Sequence, residues 1–334
     1  MIKENYQLVF ILLLSELLMA CTPNIHPAGP SVSSGKLLQN SYITVDGTEL
    51  PLRSWQTPQS EIKSIIIAVH GFNDYSNFFQ QTGHYFSLHN TVSYAYDQRG
   101  FGNGPNRGLW AGIETYSSDL AYFIKLVKQR HPNKTIFLLG ESMGGAIVIS
   151  TLSQAGPLAV DGIILSAPAV WARKTMPWYQ TALLWTLSHT VPWLTLTGSD
   201  LGIKPSDNID MLMALGQDPI VIKETRVETL YGLTNLMDYA FSSANILSSN
   251  TLLLYGEKDE IIPRQATYRF LKSLTVKKPH NHVIAYYENG YHMLLRDLQA
   301  PVLWNDIRIW MSSFSSPFPS GAEKRAMEWL KQEN

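Results

Sequence analysis

The run Gly140-Glu141-Ser142-Met143-Gly144 fits the pattern G-x-S-x-G. A β-like stretch, 135–139, precedes it and a helical stretch, 144–154, follows it. In that context Gly140 and Gly144 permit a tight strand-to-helix turn that lifts the Ser142 hydroxyl above a sheet edge. A serine hydroxyl is a poor nucleophile until a base takes its proton. On such a site the partners follow in the order serine, acid, histidine. Of the nine histidines, only His292 lies after the last β-like run, and Gly290 lets its loop turn back toward the strand ends. His280 and His282 sit near the start of that run, at the wrong end of a sheet. The acid belongs just after the preceding β-like run, in Gly256-Glu257-Lys258-Asp259-Glu260. Asp259 is the choice there, with Glu257 and Glu260 as rivals. Its role would be to accept the His292 ring N–H, fix the tautomer and stabilise the imidazolium. A tetrahedral oxyanion also needs two N–H donors. Met143 supplies one at a helix N-terminus, and Phe72 in His70-Gly71-Phe72 supplies the other. His70 is read as holding that loop rather than as a base.

These residues are spread over the chain, so a framework must bring them together. Runs at 42–45 and 50–55 flank Asp46-Gly47 and read as a hairpin. Runs at 64–70, 91–96, 135–139, 162–165, 251–255 and 282–287 are short and rich in β-branched or aromatic residues. They alternate with helical periodicity, as in 115–130, which stops at His131-Pro132. That alternation predicts an α/β fold: a mostly parallel sheet of eight strands with helices on both faces and an antiparallel edge. Residues 170–245 break the pattern. They hold no clear buried strand but do hold Trp171, Trp178, Trp185 and Trp193. This span reads as a helical lid inserted into the sheet domain, with a helix from Pro177 to about His189. Trp178 and Trp185, seven apart, share a face. The lid tryptophans either pack the insertion onto the core or form an interfacial belt at a membrane.

The 334 residues are 45% hydrophobic and 16% charged, enough for a large core and too apolar for a disordered chain. Lys plus Arg number 26 against 27 Asp plus Glu, so no global field draws the chain to a nucleic acid. The histidines lack metal-site spacing, thiol ligands are absent, and no phosphate-binding glycine loop is seen; no metal or cofactor is expected. The single cysteine, Cys21, closes Leu18-Met19-Ala20-Cys21 after the apolar run 8–14 and Lys3. A basic start, a short apolar stretch and a small residue before the cut read as a signal peptide over 1–20, and its end resembles a bacterial lipobox with Cys21 as the lipidated residue. Pro, Gly and Ser in 21–39 read as a flexible tether. Residues 40–169 and 246–313 would form the two parts of the sheet domain. Residues 314–334 would be an extension with a charged, solvated helix.

His70-Gly71-Phe72, Asp97-Gln98-Arg99-Gly100-Phe101-Gly102, the Ser142 motif, Gly256-Glu257-Lys258-Asp259 and Gly290-Tyr291-His292 occur in that order. Together they resemble the monoacylglycerol lipase and lysophospholipase branch of the α/β-hydrolases, over about residues 40–313. The resemblance implies that Ser142, Asp259 and His292 are the triad and that Phe72 and Met143 are the oxyanion donors. It makes Asp97–Gly102 a structural turn held through Arg99, and the insertion a membrane-touching cap over an acyl pocket. Phe72 stands where small residues are common in this branch, which narrows that pocket. The expected function is hydrolysis of single-chain lipid esters at a bacterial cell envelope, on the periplasmic side and at the outer membrane rather than the inner. The membrane would be met through Cys21 and the lid. Acyl transfer or peptide hydrolysis on the same triad, or a non-catalytic lipid-binding lipoprotein, are the alternatives.

Overall fold

The β-branched runs become one twisted sheet in the computed structural model, which describes residues 22–58, 61–156, 158–198, 202–247, 250–275 and 282–332. The expected signal peptide and Cys21 lie outside the described residues, as does His280. The strands are β1 (Lys36–Leu37), β2 (Ser41–Ile43), β3 (Glu49–Trp55), β4 (Ser64–Val69), β5 (Thr91–Tyr96), β6 (Thr135–Glu141), β7 (Gly162–Ser166), β8 (Thr195–Thr197), β9 (Glu224–Arg226), β10 (Asn250–Gly256) and β11 (His282–Tyr287). The helices are α1 (Gln80–Ser87), α2 (Ile113–Arg130), α3 (Met143–Ala155), α4 (Trp178–Thr190), α5 (Ile209–Gln217), α6 (Val227–Ser242), α7 (Arg264–Thr275), α8 (Ala300–Ser312) and α9 (Ala322–Gln332).

Among the described residues, nine strands form the main sheet in the order β1-β2-β3-β5-β4-β6-β7-β10-β11. From β5 to β11 all neighbours are parallel, and β1 to β3 make the antiparallel edge. The ninth strand, absent from the sequence expectation of eight, is the two-residue β1. Side chains of β4 alternate between the two faces. Ile65, Ile67 and Val69 enter one core, Ile66 and Ala68 the other. Burial on both faces explains why the strand reads as a continuous apolar run. Each fully buried Ile is worth about 1.5–3 kcal/mol. The chain passes from β4 outward to β5, then back across β4 to β6, so strand order reverses at β4. Open parallel sheets bind ligands at the strand ends beside such a reversal. Val69 pairs with Gly140, so β4 and β6 end level with one another.

The insertion between β7 and β10 carries α4, α5 and α6, and also a two-stranded antiparallel ribbon, β8 with β9, in which Thr195 pairs with Arg226. The ribbon escapes sequence reading because β8 is exposed throughout and shows no apolar alternation. Trp171 packs against the core, but Trp178, Trp185 and Trp193 are 80%, 56% and 55% exposed. Packing on the core therefore accounts for one of the four tryptophans.

Two terminal segments depart from expectation. Residues 22–35 do not behave as a loose tether; they lie along the body. His26 N–H donates to Trp110 O, Ala28 N–H to Thr115 Oγ1, Gly29 N–H to Asp46 Oδ2, and Val32 N–H to Val45 O. Pro23, Pro27 and Pro30 keep the segment extended, which lowers the entropy lost on docking. At the other end α9 is not a solvated appendage. Ala322, Ala326 and Trp329 are buried, and the Trp329 ring stacks on Tyr286 and Tyr255 at 5.0 and 5.5 Å. The high charge of the segment hides an apolar stripe spaced i, i+4, i+7.

Candidate active site

Ser142 stands between the last residue of β6 and the first of α3, with φ 52° and ψ −117°. A non-glycine residue there is strained. The strain is held by Ser142 N–H to Ser166 O at 2.9 Å and by Ala169 N–H to Ser142 O at 2.9 Å. The flanking glycines are sterically required. A Cβ on Gly144 would come within 2.1 Å of Val69 O, and one on Gly140 within 2.6 Å of the Gly144 backbone. The start of α3 is thus pressed onto the ends of β4 and β6, and Ser142 is displayed above them. The helix can sit so deep because its residues 143–152 are all buried.

The acid and histidine loops converge on the same sheet end. His292 Nδ1 lies 2.9 Å from Asp259 Oδ2, and both side chains are buried. Asp259 Oδ1 also accepts the N–H groups of Ile261 and Ile262, each at 2.9 Å. An acceptor of three N–H bonds holds the ring as the Nδ1–H tautomer and leaves Nε2 with its lone pair. The rival acids are exposed, and Glu260 instead accepts the Lys204 N–H. His282 begins β11, far along the strand from that loop, and its Nε2 meets Leu247 O. Burial pulls the His292 pKa down. The charge and hydrogen bond of Asp259, helped by Glu141, outweigh burial and Arg296 and raise it above the usual value.

Gly71 runs alongside the serine: a Cβ there would lie 3.4 Å from Ser142 Cβ. This brings the next residue, Phe72, to the site, with its ring edge-on to Phe101 at 5.6 Å. Neither the Phe72 nor the Met143 N–H has a hydrogen-bond partner among the described residues. Met143 N–H also carries the positive end of the α3 dipole. His70 is fully buried and shapes this loop. Its Nδ1–H donates to Gly71 O at 2.8 Å, and its Nε2 accepts Gln98 N–H at 3.0 Å. Burial lowers its pKa, which suits the neutral ring those two bonds require. Arg99, in the following turn, pairs with Asp46 and Asp119 at 2.8 and 2.7 Å.

Ser142 and His292 line one cavity of about 590 Å³. Its walls are mostly apolar, with Trp171, Met176, Leu184, Leu233 and Met237 from the insertion facing Phe72 and Ile262 of the sheet domain. The volume is that of a pocket for one small ligand. One polar feature of its wall escapes sequence reading. Arg296 Nη1 lies 2.8 Å from Asp74 Oδ2, and Arg296 Nη2 lies 3.3 Å from Glu141 Oε2, all three residues buried. Glu141 fills a variable place in the serine motif and Arg296 follows His292 by four residues, so no spacing announces the pair. Among the described residues, no group of three or more His, Cys, Asp or Glu side chains could hold a metal ion.

The family model "Serine aminopeptidase, S33" matches residues 60–299. The chain is 23% identical over 280 residues to the monoacylglycerol lipase of Mycolicibacterium smegmatis, covering 82% of this chain and 97% of that one. Among solved structures, the monoacylglycerol lipase of Paleococcus ferrophilus is similar at a TM-score of 0.63 and 24% identity, covering 80% of this chain and 100% of that one. A thermostable carboxyl esterase from Bacillus coagulans is similar at 0.68 and 20%, covering 83% and 98%. The chain belongs to the serine aminopeptidase S33 family, has the α/β-hydrolase fold, and is a serine ester hydrolase.

Proposed function

We propose that this protein cleaves carboxylic esters of single-chain lipids, of the monoacylglycerol or lysophospholipid type, through an acyl-enzyme on Ser142. The observation that carries the reading is the 2.9 Å His292–Asp259 bond opening with Ser142 into an apolar cavity. His292 Nε2 takes the Ser142 proton as the hydroxyl oxygen attacks the ester carbonyl. The Phe72 and Met143 N–H groups receive the developing oxyanion. His292 then protonates the leaving alcohol, and water deprotonated by the same ring releases the acid. The apolar walls would take one acyl chain, and the relatives named as monoacylglycerol lipases favour that substrate class. The family's name favours a peptide reading second, and a panel of esters and aminoacyl amides separates the two.

The same reading places the protein at a bacterial envelope, held by lipid on Cys21. Support comes from the apolar run 8–14 and the Leu18-Met19-Ala20-Cys21 sequence. Ser142→Ala should abolish hydrolysis of p-nitrophenyl butyrate and of monoacylglycerol, and should abolish fluorophosphonate labelling, with an unchanged unfolding midpoint. Turnover at the wild-type rate in that variant would falsify the mechanism.

A further inference from the structure

The residues just after Cys21 are not free to wander. Asn24 N–H donates to Glu228 Oε2 at 3.1 Å, and Glu228, in the first turn of α6, is buried and paired with Arg226. The backbone of that same turn holds the ribbon: Glu228 N–H donates to Pro192 O and Val227 N–H to Leu194 O. One turn further along α6, Tyr231 meets the ring of His189, on which Trp185 is stacked at 4.5 Å. The N-terminal end of the described chain therefore sits at the base of the insertion, next to its exposed aromatic residues.

That part of the insertion has an unusual surface. Residues 175–199 contain no Asp, Glu, Lys or Arg. Within them Trp178, Tyr179, Leu183, Trp185, Trp193 and Leu196 are exposed. Exposed apolar area of this kind marks a docking face, and Trp and Tyr settle at the boundary between hydrocarbon and water. Gln180 and Leu184 of α4, on the same helix, line the catalytic cavity.

We propose that residues 22–35 are a strap that seats the chain's start at the base of the insertion, so that the anchor at Cys21 and the uncharged aromatic face of α4 and β8 share one phospholipid surface, with the cavity mouth beside it. This rests on the lipid-anchored reading given above and adds the orientation. The reach is short: three residues span at most about 11 Å, so whatever holds residue 21 lies within that distance of Asn24. A loose tether would let the domain face any direction. A docked one presents the insertion, so that the anchor and the apolar face meet the surface together.

The test uses the full chain, expressed in bacteria and reconstituted into phosphatidylethanolamine/phosphatidylglycerol vesicles containing lipids brominated near the headgroup. Labelled palmitate, with a Cys21→Ser control, reads the anchor. Quenching of tryptophan emission, with the triple variant Trp178→Phe, Trp185→Phe, Trp193→Phe, reads the face. A flexible insert of about twelve Gly and Ser residues between Thr22 and Pro23 releases the orientation while leaving the strap in place. The expected results are quenching that the triple variant abolishes, and an insert that at least halves the quenching. The insert should also raise KM for vesicle-borne monoacylglycerol about fivefold while leaving KM for soluble p-nitrophenyl butyrate unchanged. Label on Cys21 without quenching, or an insert that leaves the vesicle KM as it was, overturns the orientation alone. Neither label nor quenching overturns the anchored reading together with it.

Discussion

As the base of the proposed triad, His292 would accept a proton only when neutral, so kcat/KM should rise with pH through its pKa. Burial opposes protonation there, but Asp259 and then Glu141 outweigh it, so the acid limb should lie above the ordinary histidine value of about 6.5. Replacing Glu141 with Gln keeps the shape and an acceptor for Arg296 but removes a negative charge near the ring. The limb should then move to lower pH, measurable in kcat/KM profiles of p-nitrophenyl butyrate hydrolysis; an unmoved limb would refute the electrostatic role. Asp259→Asn should do more. It lowers the same pKa and disrupts the tautomer, with a loss of about 10³–10⁴ in kcat. The linkage runs against activity. A raised histidine pKa contributes stability that is complete below about 6.5 and is lost as pH rises through the folded-state pKa. The pH that leaves the His292 ring neutral thus removes part of what holds its loop. The positions of Ser142, Asp259 and His292 at one sheet end were legible in sequence because each follows a recognisable strand. Asp74, Glu141 and Arg296 were not, because only the fold brings those three together.

Between elements, the joint that matters most connects the insertion to the loops of the acid and the histidine. Lys204 N–H donates to Glu260, Met293 N–H to Pro205 O, Asn208 Nδ2 to Arg296 O, and Leu298 N–H to Asp207. Ser206 Oγ–H donates to Asp297 Oδ1 at 2.6 Å, and Tyr291 N–H, next to His292, donates to Asp297 Oδ2. Burial pushes the Asp297 carboxyl up to about 6, against the pull of those two bonds. Its contribution to stability is therefore complete below about 3.9 and lost as pH rises through about 6. Above that pH the Ser206 bond goes to a charged carboxylate and is worth about 1.5–3 kcal/mol. Ser206→Ala should then cost more stability at pH 8 than at pH 5, and should lower kcat several-fold at pH 8 by loosening the His292 loop. Denaturant midpoints at the two pH values check the first part. Equal losses at both would remove Asp297 from the account. The core strands were readable from β-branched runs, and α2 and α3 fell within a few residues of expectation. The β8–β9 ribbon and the clasp at 204–208 were not, since neither carries an apolar period.

At the scale of the whole molecule, both ends of the described chain pack on the body, and composition misled at both. Proline, glycine and serine suggested a loose linker where extended backbone docks through its N–H groups. Charge suggested a solvated helix where α9 closes the sheet. The second case makes a quantitative prediction. β11 is the edge strand, and its neighbour β10 leads into the Asp259 loop. Trp329 of α9 stacks on Tyr255 of β10 and Tyr286 of β11, with Arg264 of α7 over its face. Trp329→Ala removes this buried ring and should cost about 3–5 kcal/mol. Trp329→Phe keeps an aromatic ring there and discards an indole N–H that has no partner among the described residues, so its cost should stay below about 1.5 kcal/mol. Because both tyrosines lie on the strands whose ends carry Asp259 and His292, Trp329→Ala should also lose activity at temperatures where the wild-type chain is fully folded. Urea midpoints of the two variants, with hydrolysis followed over the same range, test this. If Trp329→Ala unfolds at the wild-type midpoint, α9 contributes nothing to the sheet and its stacking is incidental.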